Sequence, residues 1–245
     1  MLERFFNGGS TFVSQPSQEA SDQITLLSGP PSCGKTSLLF QYALNLAAQF
    51  ESSSQEYIVF ICNRRRFENK PPFLSQGIDI DASSYKTIFR RIQIKYLDDY
   101  DDDGMKKYFA AFHLLQPFPI AVIIDDFGQF FLESKCQQRY NNPRGRDLAM
   151  VRVLALCHSA ITHANKTGVC QLLLSDTHHG DSPRLLFLYK RWISSILTVQ
   201  GEGDRYGSFL LQHSADVTGN GKRSAKYSIA FQCLVLEGII EETLM

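Results

Sequence analysis

The chain has 245 residues, 44% of them hydrophobic, enough to bury the core of one large α/β domain or two small ones. Its 25 basic and 25 acidic side chains cancel. That excludes a global positive field as the basis of nucleic-acid binding, so any such contact must come from a local patch.

In chain order, residues 1–22 read as an N-terminal lead-in segment. Met1-Leu2-Glu3-Arg4-Phe5-Phe6-Asn7 lacks the apolar core of a signal peptide, and residues 7–22 are polar and small. Ile24 to Leu27 is an apolar run that predicts a buried strand. Residues 29–37 follow as Gly-Pro-Pro-Ser-Cys-Gly-Lys-Thr-Ser, which fits the phosphate-binding pattern G-x-x-x-x-G-K-[ST]. Gly29, Gly34, Lys35 and Thr36 take its four fixed places, with Pro30, Pro31, Ser32 and Cys33 between them and Ser37 after them. Ser37 to Leu44 then leads out as a helix. Such a loop turns backbone N–H groups around an anion beside the positive end of the helix dipole. In this pattern Lys35 reaches the β- and γ-phosphates of a nucleotide and the Thr36 hydroxyl ligates Mg²⁺.

Further strands are expected at Tyr57–Cys62 and, near a sheet edge, at Arg91–Tyr96, where apolar and polar residues alternate. Lys106 to Leu115 has helical spacing, with Tyr108, Phe109, Phe112 and Leu115 on one face. Pro119 to Ile124 is a fourth strand, Leu148 to Ala164 a long amphipathic helix, and Val169 to Leu174 a fifth strand. Strand-like runs then follow at 192–199, 206–212 and 226–234, with loop or hairpin signals at 201–204 and 219–221. The expectation is an α/β fold in one domain, residues 23–245: five parallel strands extended by antiparallel ones. The six cysteines form no C-x-x-C pair and no metal-ligand spacing, and Cys62, Cys170 and Cys233 lie in strand-like runs. That pattern suits reduced core thiols of a soluble intracellular protein. No run approaches the ~20 apolar residues of a membrane span, so no membrane partner is expected.

A phosphate-binding loop needs a carboxylate to position Mg²⁺, usually at the tip of a neighbouring buried strand. Asp125, after Ile120 to Ile124, is the candidate, with Asp126 a second. Lys35 and Asp125 are thus the two expected catalytic residues. No single residue stands out as the base for hydrolysis: Glu68, Asp126 and Asp176 all remain open. His178-His179 read as loop histidines rather than metal ligands. The acidic run Asp98 to Asp103 reads as a solvated connection or a site for a basic partner. Arg64-Arg65-Arg66 reads as a charged loop or a phosphate or partner contact.

Taken together, residues 29–37, the acid-tipped strand at 120–125, the polar-tipped strand at 170–176 and the trailing hairpins resemble the RecA-type recombinase ATPases. Phe231 to Ile239 looks like the closing strand of that core. Lys35 to Phe40, Val59 to Arg65, Arg91 to Tyr96 and Lys190-Arg191-Trp192 are more closely similar to the recombinase-paralogue ATPases that partner a SWIM-type zinc-finger protein in Shu-like complexes. The resemblance covers residues 23–240. It implies a RecA-like core with strand order 3-2-4-5-1, and it implies ATP and Mg²⁺. It also implies a role in homologous recombination and DNA repair in the nucleus, with the zinc-finger protein, a recombinase and single-stranded DNA as partners.

Two departures qualify that implication. The family's catalytic glutamate just after the second strand is replaced here by Asn63-Arg64-Arg65, which points to slow hydrolysis. The helix-hairpin-helix domain that precedes eukaryotic recombinase cores is not expected within the first 22 residues. In the family, loops after the fourth and fifth strands face DNA. Their counterparts are Gln129–Arg146, carrying Lys135, Arg139, Tyr140, Arg144 and Arg146, and Thr177–Arg184. Basic side chains with an interleaved aromatic suit phosphate contact and base stacking, although a solvated surface loop fits equally. The alternatives to this function are a nucleotide-binding scaffold without enzymatic activity and an unrelated P-loop ATPase or kinase. The aromatic-rich ends, Phe5-Phe6 and Phe12 with Phe231 and Leu234, suggest apolar surface left over for a partner.

Overall fold

Five apolar runs become neighbouring parallel strands: β1 (Ile24–Gly29), β2 (Ile58–Asn63), β4 (Ile92–Leu97), β5 (Ala121–Ile124) and β6 (Gln171–Thr177). The computed structural model describes residues 2–6, 23–50, 55–76, 78, 83–98, 102–178, 185–202, 207–213 and 222–242. The remaining strands are β3 (Leu74–Ser75), β7 (Ser195–Gly201), β8 (Ser208–His213), β9 (Lys222–Ala230) and β10 (Cys233–Glu242). All ten join one mixed sheet in the order β3-β10-β9-β8-β7-β1-β6-β5-β2-β4. The block β4-β2-β5-β6-β1 is the order 3-2-4-5-1 expected for the first five runs, with β4 at the edge. Parallel pairing does not stop there. β7 lies parallel to β1, with Leu26 opposite Ile196, so the parallel block has six strands, and only β8, β9 and β10 form the antiparallel extension.

Side chains alternate across the parallel strands, as the two-residue period of a strand requires. Ile24 and Leu26, Val59 and Ile61, Val122 and Ile124, and Leu172 and Leu174 enter one core. Leu27, Ile58, Phe60, Cys62, Ala121, Ile123 and Leu173 enter the other. Burial on both faces is why these runs read as continuously apolar. The first core is covered by α4 (Asp102–Ala110) and α6 (Gly145–Ala164), which supply Met105, Phe109, Met150, Val153 and Cys157. The second is covered by α1 (Lys35–Ala47), through Leu38, Leu39, Tyr42 and Ala43. The antiparallel extension feeds only this second core, with Leu211, Ala225, Tyr227 and Leu234.

The chain's first residues belong to the same core. Leu2–Phe5 form a single 3-10 turn against α1, and the Phe5 ring packs tilted against Tyr42 (5.1 Å between centroids) and the Phe6 ring tilted against Tyr227 (5.5 Å). Asn45 donates to the carbonyls of Arg4 and Phe6, at 2.9 Å each. Phe5, Phe6 and Leu234 are therefore buried in the chain's own core rather than left as surface, while Phe231 is fully exposed. Phe12 lies outside the described residues.

Local departures have local causes. The run 226–234 is not one strand, because the chain reverses at Phe231-Gln232, both left-handed (φ 51° and 59°), and pairs Ala230 with Cys233. The 106–115 helix ends at Ala110 and resumes as a 3-10 turn over Phe112–Leu114. Short helices that lacked a long apolar period went unpredicted: α2 (Arg64–Asn69), α3 (Ser83–Phe89), α5 (Glu133–Tyr140) and α7 (Leu186–Tyr189). All of the cysteines are free; Cys33, Cys62, Cys136, Cys157 and Cys170 are buried, and Cys233 is half-buried. No helix among the described residues is long and apolar enough to cross a membrane.

The stretch 129–146 departs furthest from expectation. It is not a loop but a 3-10 turn (Phe127–Phe131), helix α5 and the first turn of α6. Gly145 is buried where α6 meets α5, and a Cβ there would come within 2.3 Å of the Cys136 carbonyl oxygen. Backbone cannot yield to that contact as a flexible side chain would. Gly145→Ala should therefore cost about 1–3 kcal/mol, read as a lower midpoint of urea unfolding. An unchanged midpoint would show that α5 moves freely against α6.

Candidate active site

The motif loop springs from the carboxyl end of β1, the end at which open parallel sheets bind ligands. Two left-handed residues two apart, Ser32 (φ 62°) and Gly34 (φ 82°), curl it. Gly34 is the N-cap of α1 and brings no side-chain cap to the helix. A curled loop running into an uncapped helix start gathers backbone N–H groups and positive dipole at one point, the arrangement that suits a phosphate. Lys35 folds back inside the curl, its Nζ donating to the carbonyls of Gly29 (3.1 Å) and Pro30 (2.8 Å), and the side chain is buried. Pro31 and Ser32 are exposed, while Cys33 is fully buried. The Ser37 hydroxyl accepts from the Phe73 N–H at 2.9 Å, so it ties the segment before β3 to α1 instead of facing the loop.

The loop is braced by strands far along the chain. Tyr227 on β9 donates its hydroxyl to the Cys33 carbonyl at 2.7 Å. A Cβ on Gly29 would meet Cys33 Sγ at 2.7 Å and Val199 of β7 at 2.9 Å, and one on Gly34 would meet Ile229 of β9 at 2.5 Å. Gly29 is needed for this close packing, and Gly34 for its left-handed backbone, since the end of the Ile229 side chain can yield. At the base of the loop, His178 donates its backbone N–H to the Gly29 carbonyl (3.1 Å), and its Nδ1 lies 2.6 Å from Ser28 Oγ. His178 is a buried structural residue; His179 lies outside the described residues.

Asp125 stands across from the loop at the tip of β5. Thr36 Oγ1 donates to its Oδ2 at 2.8 Å and Ser175 Oγ to its Oδ1 at 2.9 Å. The same serine oxygen accepts the Asp126 N–H at 2.8 Å. The start of α1 and the ends of β5 and β6 thus meet through one polar network, and residues 89 apart in sequence become neighbours. Among the described residues no cluster of three His, Cys, Asp or Glu exists that could hold a metal by protein ligands alone. One hydroxyl beside one carboxylate is the sparse donor set of a Mg²⁺ ion completed by substrate phosphates and water.

Every carboxylate that had been a candidate base is already engaged. Glu68 pairs with Arg64 at 3.8 Å on the exposed face of α2. Asp176 is buried, accepting from the Tyr189 hydroxyl at 2.6 Å and from the Thr177 N–H at 2.9 Å. Asp126, left-handed at φ 53°, accepts from Thr177 Oγ1 at 3.1 Å and ion-pairs with Arg66. Asn63, where the resemblance looked for a glutamate, caps α2: its Oδ1 accepts the Arg66 N–H at 3.0 Å.

The five residues expected to face DNA do not form one surface. Lys135 and Arg144 are exposed. Tyr140 packs against the core. Arg139 pairs with Asp102 and Asp103 across α4, and the hydrogen bond to Asp102 raises its already high pKa. Asp102 itself is buried and also pairs with Lys106 at 2.9 Å, so this end of the acidic run is structural rather than merely solvated. Arg146 is buried, with Nη2 3.4 Å from the Gly128 carbonyl oxygen, and is a correction to that basic patch. Residues 179–184 of the second expected loop lie outside the described residues.

No family model matches the chain, and no curated protein matches it.

Burial pushes the Asp125 carboxyl above the usual carboxylate range. The Thr36 hydrogen bond opposes the shift, the neighbouring charge of Asp126 reinforces it, and Ser175 opposes it again. A carboxyl whose pKa is raised by folding destabilises the fold when ionised, and that cost disappears as pH falls through the raised pKa. Asp125→Asn keeps the shape and removes the charge. Its unfolding midpoint at pH 7 should exceed the parent's, with the gain fading on acidification. Identical midpoints at neutral pH would mean that the two hydroxyls fully offset the burial of the charge.

Proposed function

We propose that the chain binds ATP with Mg²⁺ at residues 29–37 and acts as a slow-hydrolysing paralogue of the RecA-type recombinases. The observation that carries the nucleotide reading is the 2.8 Å contact between Thr36 and Asp125. It joins the last fixed residue of the motif loop to the one strand-tip carboxylate expected beside Mg²⁺. Lys35, already within the loop, would turn from the Gly29 and Pro30 carbonyls to phosphate oxygens. Thr36 and Asp125 would share the ion, and the backbone of Gly29–Gly34 would cradle the phosphates.

Slow hydrolysis follows from what surrounds this point. Asn63 is a helix cap, arginines follow it, and Glu68, Asp126 and Asp176 each have partners. A base held in an ion pair or buried against a tyrosine is poorly placed to take a proton from water. The recombinase part of the reading rests on the resemblance of residues 23–240 and is supported by the strand order β4-β2-β5-β6-β1. On that reading the protein assists homologous recombination in the nucleus, paired with a SWIM-type zinc-finger protein on a recombinase–single-stranded DNA filament. Arg146 is buried, and Arg139, exposed like Lys135 and Arg144, has its charge offset by Asp102 and Asp103. This favours action through protein partners over strong DNA binding by the chain alone.

Equilibrium binding and turnover test the reading together. ATP should bind, and chelating Mg²⁺ should weaken it by about tenfold or more, equivalent to roughly 1.4 kcal/mol. Lys35→Ala should abolish binding at a modest cost in stability, since it also removes the loop hydrogen bonds to Gly29, Pro30 and Cys33. Turnover should stay well below the ~10 s⁻¹ enzyme median when the chain is alone, and should change when single-stranded DNA, the recombinase and the zinc-finger partner are supplied. Tight ATP binding by a folded Lys35→Ala protein would remove the motif loop from the reading. Turnover indifferent to every partner would remove the recombination role and leave a P-loop ATPase.

A further inference from the structure

A small cleft opens beside Asp125, lined by Asn63, Arg66, Asp125, Asp126, Gln129 and Phe130. Its cation is Arg66, in the first turn of α2. One arm of the guanidinium, Nη1, ion-pairs with Asp126 Oδ2, and the other, Nη2, donates to Gln129 Oε1 at 3.2 Å. The Arg66 side chain is 46% exposed and that of Asp126 is 23% exposed. Asp126 is itself held in an uncommon conformation, left-handed at φ 53°, by Ser175, Thr177 and Arg66 together. A non-glycine residue stays there only when its surroundings over-determine it, and such strain gathers at ligand clamps and switches.

The placement of this pair is what matters. Asp125 lines the same cleft and touches Thr36, the second residue of α1, next to Lys35. In the nucleotide reading, on which this inference rests, a diphosphate stays within the motif loop. A third phosphate extends toward Thr36 and Asp125, and hence toward the Arg66 cleft. A half-exposed ion pair is weak because water screens it. A phosphate oxygen pair matches the planar guanidinium fork better than one carboxylate oxygen does.

We propose that Arg66 exchanges Asp126 for the terminal phosphate of a bound nucleoside triphosphate, so that the site distinguishes triphosphate from diphosphate. The exchange frees Asp126 and Gln129 from Arg66. It thereby carries the nucleotide state into α2 on one side and the Phe127–Phe131 turn on the other.

The test is equilibrium binding of ATP and of ADP, each with Mg²⁺, to the parent, Arg66→Ala, Arg66→Lys and Asp126→Asn. The parent should prefer ATP. Arg66→Ala should lose about tenfold in ATP affinity, the scale of a charge-assisted contact to phosphate, with ADP affinity nearly unchanged. Arg66→Lys should fall between, since it keeps the charge and loses the fork. Asp126→Asn, which suits the left-handed position, should bind ATP more tightly because Arg66 has no carboxylate to leave. Thermal unfolding without nucleotide confirms that each variant folds, and Arg66→Lys carries the test if Arg66→Ala does not. Equal losses of ATP and ADP affinity on replacing Arg66 would make it a structural residue and overturn the proposal, as would no loss of either. A parent that binds neither nucleotide would overturn the nucleotide reading itself and this inference with it.

Discussion

The hydrogen bond from Thr36 to Asp125 depends on nearly everything else in the molecule. It joins the first turn of α1, which follows β1, to the tip of β5, a strand not adjacent to β1: β6 lies between them, and Ser175 near its end completes the bridge. For the contact to form at 2.8 Å, three parallel strands must end at the same height. Their registers do this, with Leu26 and Ile124 both opposite Leu174. A one-residue slip in any of them would also turn an apolar set out of its core. Core packing on both faces of the sheet therefore fixes the site's geometry, and the polar network adds little register information of its own. What the network does add is electrostatic. It gathers Asp125 and Asp126 at one sheet end, with Asp176 buried nearby, and the raised carboxyl of Asp125 shows what burial there costs.

The antiparallel extension acquires a purpose from the same geometry. A curled loop with two left-handed residues has few contacts of its own and would fray if left in water. Here Tyr227, Val199 and Ile229 press against it, so strands nearly 200 residues downstream hold its shape. The tyrosine hydroxyl satisfies a carbonyl that the curl turns into the core, at a position where an unpaired oxygen would be costly. The first residues contribute from the same side, since Phe6 packs at a tilt against Tyr227 and Phe5 against Tyr42. Both chain ends thus converge on the helix and loop that form the candidate site.

What was legible in the sequence was whatever depends on period and on sharp chemistry. Continuous apolar runs announced the parallel strands because both of their faces are buried, and the alternating 91–96 run announced an edge for the opposite reason. The motif loop and its acidic partner were legible because each needs particular residue types at fixed spacing. Tertiary pairing was not legible. Arg139 and Arg146 look like surface cations in a stretch rich in Asn and Gly. In the structure one meets Asp102 from a separate helix and the other is covered by the 3-10 turn it supports. The reversal at Phe231-Gln232 was equally hidden, because the residues favoured in such a two-residue turn are Asn and Gly. Short helices such as α2 and α5 carry no long apolar stripe, so nothing in their local pattern distinguished them from loops.

Charge is concentrated at the end of the sheet where β5 and β6 stop. Three aspartates and two arginines, Arg66 and Arg146, surround the tips of β5 and β6, yet the two arginines play opposite parts. Arg146 is sealed in, and its charge acts on Asp176 and Tyr189 through the protein interior. There it offsets part of the cost of burying an aspartate. Arg66 is half in water and holds its partner weakly. Burying a guanidinium carries a desolvation cost that its partners only partly offset. A half-exposed pair such as Arg66 with Asp126 avoids most of that cost and is correspondingly easy to exchange, which is what the proposed triphosphate contact beside Asp125 requires.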